Sequence, residues 1–398
     1  MVSNPLSGGR EAVIEPLVRR DVRHPPRSIA IIGGGPAGCA AALALGRAGR
    51  PVTLFQGARP AGKPCGGGAT LRAFGPFPLR RLVPIEPFVP DGIVLLSPRG
   101  RRAEVPAPDG FALYQRSALD EALLDAARRA GAEVVPGRAQ AVGRAGDGWL
   151  VGGRRFEFVV GSAGAGDPVR RAVGLALEAR EHVLALHYLL PRAPDRRVFL
   201  RYRTRPAGYL WYFPKVGSAS IGALAPLAAR AASELDDEVR AFAESILPPG
   251  SLAGARRQSA PIPAPTAAAL DRLAVEGEGW ALAGDAAGLA DPITGEGIYA
   301  ALVSGDLLGR SLAEGGSYTE ALRRELIPEL RRAARLRPWF YAGPLLEAQV
   351  ALVARGGPVA ALFGELVSGA QPYGTLRARL LRILAGAFRR RPLLRPRA

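Results

Sequence analysis

The chain is poor in several residue types, and each shortage removes a class of protein. Two cysteines, Cys39 and Cys65, in 398 residues exclude a disulfide framework and point to a reducing, cytoplasmic setting. Three scattered histidines leave no histidine-built metal centre, so no metal is expected. Lysine is nearly absent, because of 53 basic residues only Lys63 and Lys215 are not arginine. The first 27 residues lack an apolar core, which makes them a flexible N-terminus and not a secretory signal. The one long uncharged run, Ser28 to Gly46, holds five glycines and a proline, a poor membrane helix.

A hydrophobic share of 48% is ample for a sizeable core, and the length suits two or more lobes. The formal charge of +18 raises the question of nucleic acid. The arginines are scattered, however, and with abundant Ala, Gly and Pro they read as compositional bias, with no nucleic-acid patch. The exception is Thr375 to Ala398, which carries eight arginines and no acid.

Ser28-Ile-Ala-Ile-Ile32 has the β-branched, apolar character of a buried parallel strand. Gly33-Gly-Gly-Pro-Ala-Gly38 follows at once, and Cys39 to Arg47 is helix-forming. Gly33, Gly35 and Gly38 satisfy the dinucleotide fingerprint: a tight turn, close approach to a pyrophosphate, and close helix–strand packing. Pro36 and Ala37 open the helix whose N-terminus meets the phosphates. A second strand runs from Val52 to Phe55. Where an acid usually holds the adenosine ribose, Gln56 stands, able to accept a hydrogen bond but without charge assistance.

Trp280-Ala-Leu-Ala-Gly-Asp-Ala-Ala-Gly288 and Asp291-Pro-Ile-Thr-Gly-Glu-Gly-Ile298 resemble the G-D box and following helix entry of FAD-dependent enzymes of the glutathione-reductase type. The resemblance implies bound FAD, with Gly284 and Asp285 near its ribityl and pyrophosphate. It also implies backbone from Pro292, Gly295, Gly297 and Ile298 at the isoalloxazine. Gly62-Lys-Pro-Cys-Gly-Gly-Gly68, Tyr209-Leu-Trp-Tyr-Phe-Pro-Lys215 and Gly369-Ala-Gln-Pro-Tyr373 are similar to signatures of the geranylgeranyl reductase family. By that likeness Lys63, Cys65 and Gly66 approach the flavin. Tyr114-Gln-Arg-Ser-Ala-Leu-Asp120 looks like the family's R-x-x-x-D helix start, whose arginine, here Arg116, reaches the cofactor. The usual D-G-x-x-S-x-V-R box appears as Ala163-Gly-Ala-Gly-Asp-Pro-Val-Arg170. Gly164 is retained, the first acid is not, and Asp167 replaces the serine.

The implied fold class is α/β: a Rossmann-like FAD-binding domain with an inserted, mostly antiparallel substrate sheet and a C-terminal helical region. The FAD domain is expected in three pieces, 28–71, 109–171 and 270–317. The substrate domain would take 72–108 and 172–269, and helices with a basic tail 318–398. Ser117 is the expected N-cap of the helix after Arg116. Ala260-Pro-Ile-Pro-Ala-Pro265 is too rich in proline for a helix and is expected to lead the chain back to the FAD domain.

Family likeness implies an FAD-dependent oxidoreductase that saturates double bonds of a polyprenyl lipid or other hydrophobic substrate. Its electron donor could be NAD(P)H, ferredoxin or another reductant; no second glycine fingerprint marks a nicotinamide domain. Cys65 is the candidate proton source or shape element. Tyr209 and Trp211, which share a strand face with Phe213, are candidate cavity wall. Two alternatives stay open: an FAD monooxygenase or halogenase of an aromatic or polyketide-like metabolite, and a non-catalytic flavin binder. The C-terminal arginines alternate with Leu376, Leu380, Leu381, Leu384 and Phe388 at helical spacing. That pattern fits either a solvated basic tail or a helix lying peripherally on an anionic membrane.

Overall fold

The computed structural model describes residues 25–57, 65–69, 79–107, 111–139, 141–229 and 232–389. The expected cofactor contact Lys63, the N-terminal segment to residue 24 and the arginine-rich tail from residue 390 lie outside the described residues.

Strand Ile29–Ile32 is buried throughout and pairs in parallel with Val52–Gln56 on one side and Phe158–Gly161 on the other. Glu133–Pro136 and Trp280–Leu282 extend this sheet in parallel, and Glu276–Gly277 closes one edge antiparallel. A three-stranded antiparallel meander, Val142 to Phe156, occupies the crossover before Phe158–Gly161.

Helix Pro36–Arg47 follows the glycine turn and is held between the sheet and two other helices. Its residues are nearly all Ala, Gly and Leu, and Ala40, Ala41 and Ala42 have no exposed surface. Against it lies Ile298–Glu314. A Cβ at Gly305 would stand 2.1 Å from the Ala37 carbonyl oxygen, and one at Gly309 2.6 Å from the Ala44 Cβ. Small residues are therefore a packing requirement of this layer, whatever the composition elsewhere.

The second sheet has seven strands in the order Arg256–Pro263, His182–Leu190, Ser218–Pro226, Ala207–Lys215, Val198–Thr204, Gly92–Leu96 and Arg102–Pro106. Every pairing is antiparallel except that of Val198–Thr204 with Gly92–Leu96. One face, with Tyr188, Leu210 and Tyr212, packs on helix Ala232–Ile246. The other, with Leu200, Tyr202 and Trp211, packs on the C-terminal helices Ile327–Phe340, Gly343–Val353 and Gly357–Val367.

Two local expectations are corrected. The proline-rich segment is not merely a return path: Arg256–Pro263 is an edge strand, with Pro261 opposite Leu184. Proline fits there because an edge strand has one side that needs no ladder donor. The helix starting at Arg116 is N-capped by Gln115 and not by Ser117, which lies exposed inside its first turn. The Gln115 backbone carbonyl accepts from the Leu119 N–H at 2.9 Å, and its side-chain oxygen is taken by the Ser218 hydroxyl.

Candidate active site

The glycine turn uses each glycine differently. Gly33 has φ +105° and lies against the Ser162–Ala163 backbone, so a Cβ there would be 2.7 Å from the Ser162 oxygen. A Cβ on Gly38 would be 2.0 Å from the Gly33 oxygen, which explains the close helix–strand contact. Gly35 is the opposite case: a Cβ there meets no atom within 4 Å, and it would project into open space before the helix. Gly35 is also the N-cap, with no side-chain bond to the helix end. Such an end presents N–H groups and a positive dipole to an anion.

Gln56 is turned toward the turn itself. Its oxygen accepts from the Gly34 N–H at 2.7 Å and its amide donates to the Gly57 oxygen at 2.9 Å. The Cys39 thiol, at 3.3 Å, donates to the Gly34 carbonyl, so this core cysteine also braces the turn.

Gly164, at φ +87°, lies in the altered box beside Asp167. The Asp167 carboxylate is buried and accepts from the Ala163 N–H at 2.8 Å and the Arg170 N–H at 2.9 Å. Burial pushes this carboxyl up, against the pull of those backbone bonds. Arg170 in turn donates to the Ala286 oxygen at 2.7 Å and so holds the turn Gly284–Ala287. Gly284 donates its N–H to the Ser304 hydroxyl at 2.9 Å, and a Cβ on it would be 2.9 Å from the Ala37 Cβ. Asp285 stands beside Gly297, the N-cap of helix Ile298–Glu314, whose first N–H groups, those of Ile298 and Tyr299, donate to the Glu296 carboxyl. The glycine-fronted helix end at Gly35 is left without a side-chain cap, a fit for a ligand with an anionic edge.

Next to Gly297 is a cavity of about 360 Å³ with a largely apolar wall. Tyr209, Trp211 and Phe213 form one side, Gly295, Gly297 and Ile298 another, and the C-terminal helices contribute Phe340 and Tyr341. Pro292 lies buried behind that loop. Gly66 sits against Phe213, where a Cβ would be 2.5 Å from the ring. The Cys65 sulfur accepts from the Gly67 N–H at 3.2 Å and from the Arg116 guanidinium, which also pairs with Asp120 at 3.2 Å. Lys215 donates to the Cys65 carbonyl at 3.0 Å, and burial pushes its ammonium down to about 8.

The loop from Asp291 to Gly297 is tied from three directions. Tyr209 donates its hydroxyl to the Thr294 carbonyl, and Tyr341 donates to the Ile293 carbonyl at 2.7 Å. Asp291 accepts from the Ile293 and Thr294 N–H groups, each at 2.9 Å, and from the Tyr373 hydroxyl. Behind Trp211 runs a buried chain: its indole N–H donates to the Ser220 hydroxyl at 3.0 Å, which meets His187 Nδ1 at 2.7 Å. His187 Nε2 lies 3.0 Å from the Gln258 side-chain oxygen. Sequence reasoning passed over Asp167, Arg170, Lys215, Asp291 and Glu296 as site residues. All five lay within motifs visible in the chain: Asp167 and Arg170 in the altered D-G box, Lys215 at the end of the aromatic strand, and Asp291 and Glu296 in the stretch before Ile298.

The fold and its paired helix ends define a flavoprotein-type oxidoreductase architecture. Solved structures of the same fold include a geranylgeranyl bacteriochlorophyll reductase-like protein from Thermoplasma acidophilum, with 21% identity and a TM-score of 0.71, covering 90% of this chain and 98% of that one. A flavin-dependent brominase shares the fold at 18% identity and TM-score 0.64, over 91% of this chain and 99% of its own. No protein-family profile matches the chain. The geranylgeranyl diphosphate reductase of Rhodobacter capsulatus is 31% identical over 310 residues, 69% of this chain and 72% of the relative. The digeranylgeranylglycerophospholipid reductase of Methanoculleus marisnigri is 28% identical over 331 residues, 74% of this chain and 79% of the relative. The chain belongs to the geranylgeranyl reductase family.

The buried His187 makes a prediction for acid stability. Burial pushes its imidazole down to about 4, whereas an unfolded chain protonates histidine near 6.5. Above that value both states are neutral. As pH falls toward 4 only the unfolded state takes up the proton, so stability should drop by on the order of 3 kcal/mol across the window. Melting temperatures of wild type and His187→Gln measured against pH should show a shallower acid slope in the variant. Identical slopes would mean that His187 is not held neutral.

Proposed function

We propose that this protein is an FAD-dependent reductase that saturates double bonds of a polyprenyl chain lying in the aromatic cavity. The observation that carries this reading is the shared loop: residues between Asp291 and Gly297 line the cavity and also lead into the N-terminus of helix Ile298–Glu314, beside Asp285. A ligand seated on the helix ends and a chain in the cavity would therefore meet. The bound flavin supplies the hydride.

The protein's part is to bind, orient and exclude water. Gly33, Gly35 and Gly38 shape the pyrophosphate cradle, with Pro36 and Ala37 at the helix end. Gly284, Asp285, Gly295, Gly297 and Ile298 serve the ring side, and Arg116 stands at the cavity edge with Cys65. Tyr209 and Trp211 hold the chain, and their faces steady positive charge developing on an alkene carbon. The proposed electron donor is NAD(P)H, ferredoxin or another reductant.

Three measurements test the reading. Anaerobic incubation of the reduced protein with polyprenyl lipids should yield products heavier by two hydrogens per double bond. One added oxygen would point to a monooxygenase instead. Gly35→Val should leave the protein folded, since a Cβ there meets no atom within 4 Å, with at most a loss of about 1 kcal/mol from the N-cap, yet abolish yellow colour after FAD is added. A folded, fully yellow Gly35→Val protein would overturn the cradle assignment.

The third concerns location. The same reading places the enzyme in the cytoplasm, attached peripherally to an anionic membrane from which the substrate tail is drawn. Supporting it, helix Tyr373–Arg389 exposes Leu380 and Leu381 beside Arg377 and Arg382, and Trp339 on a nearby helix is 67% exposed. Among the described residues no single helix is long and apolar enough to cross a membrane. Each arginine near such a surface contributes about 1 kcal/mol. Co-sedimentation with anionic vesicles should be salt-sensitive and weaker in a Leu380→Ser, Leu381→Ser protein. Equal pelleting of the two proteins would remove this helix from membrane binding.

A further inference from the structure

Saturating an isolated alkene takes one proton for every hydride, and the groups around the cavity differ in their ability to give one. The Cys65 sulfur receives hydrogen bonds from Gly67 and Arg116 and is faced by the Lys215 ammonium. These contacts engage the sulfur on its acceptor side. The Tyr209 and Tyr341 hydroxyls donate to loop carbonyls, and burial holds both far above the ordinary phenol range. Asp291 is surrounded by donors: two backbone N–H groups and the hydroxyls of Thr294 and Tyr373. Its oxygens are already engaged as acceptors.

Glu296 shares with Asp291 a pair of backbone donors, but among the described residues no hydroxyl donates to it. It lies half-buried in the cavity lining, between Gly295 and Gly297. Its carboxyl accepts from the Tyr299 N–H at 2.8 Å and from the Ile298 N–H. The charged and titratable groups facing it are the carboxyls of Asp291 and Asp285 and the Tyr209 hydroxyl. Burial first, and then the neighbouring carboxyls, push Glu296 up to about 7, so the proton is held near neutral pH and yet can leave.

Resting on the reductase reading above, we propose that Glu296 is the acid that protonates the substrate alkene in the cavity. The Glu296 O–H bond breaks as a C–H bond forms at the less substituted carbon of a trisubstituted double bond. The tertiary cation so formed takes a hydride, with its two electrons, from the reduced flavin, which is the reductant. Solvent then returns a proton to the carboxylate.

The test is single-turnover reduction of a polyprenyl lipid by dithionite-reduced holoenzyme from about pH 5.5 to 8.5. The wild-type rate should fall about tenfold per pH unit above about 7. Glu296→Gln keeps an oxygen for the Ile298 and Tyr299 N–H groups, and it should be slower by on the order of 100-fold with a flat profile. Its flavin content and flavin reduction should be unchanged. Glu296→Asp should restore part of the rate together with the pH dependence. Independently of turnover, infrared spectra should show a protonated-carboxyl band that titrates near neutrality in wild type and is missing from Glu296→Gln. A Glu296→Gln protein with wild-type rate and profile, or one that keeps the band, overturns the assignment; if that variant misfolds, a pH-independent Glu296→Asp does so. Wild-type protein that reduces no polyprenyl lipid removes the reductase reading itself, a result distinct from an active wild type with an unimpaired variant.

Discussion

The contact between helices Pro36–Arg47 and Ile298–Glu314 sets the geometry on which the site depends. Any side chain at Gly305 or Gly309, or one larger than Ala at Ala37, would force the two axes apart. Because the axes are close and parallel, both N-termini point the same way, the second helix starting seven residues before its Gly305 meets Ala37. Gly284, wedged against Ala37 and Ala301, brings Asp285 to the same place. The close packing of a featureless stretch of alanines thus decides where two sets of backbone donors point.

The second dependence runs through the loop between Asp291 and Gly297. Three tyrosines from different parts of the chain end on it: Tyr209 from the large sheet, and Tyr341 and Tyr373 from the C-terminal helical layer. The loop is therefore a joint between the parallel sheet's helix and the cavity wall. A shift of the sheet or of the C-terminal helices would be felt at Thr294 or Ile293, and from there at the helix end.

Much of this was legible in the chain. The Ile29–Ile32 strand, its glycines and the following helix carry their meaning locally, since strand propensity, tight turn and helix start are adjacent. The alternation along Tyr209 to Phe213 likewise placed Trp211 on the cavity side and Tyr212 on the opposite one. What stayed hidden depends on distant partners. The edge position of Arg256–Pro263 is a matter of pairing with His182–Leu190, which no local pattern announces. Gln115, not Ser117, precedes its helix, and its side chain is held away from the helix end by Ser218 of the large sheet. Glu296 looks from its neighbours like a polar residue in a flexible turn, and only burial and the convergence of other carboxyls give it a different character.

The peptide of Gly34 is held from both sides, its N–H by Gln56 and its carbonyl by Cys39. On the reading proposed above, in which this turn receives phosphates, a loop clamped in this way is in its receiving shape before any nucleotide arrives. Little conformational entropy remains to be lost on association, so the contacts made to the phosphates appear almost undiminished as affinity. The neutral amide also does its bracing without placing a negative charge next to an anionic guest. Exchange of the ligand then becomes a matter of breaking contacts, with no loop to reorder on its return.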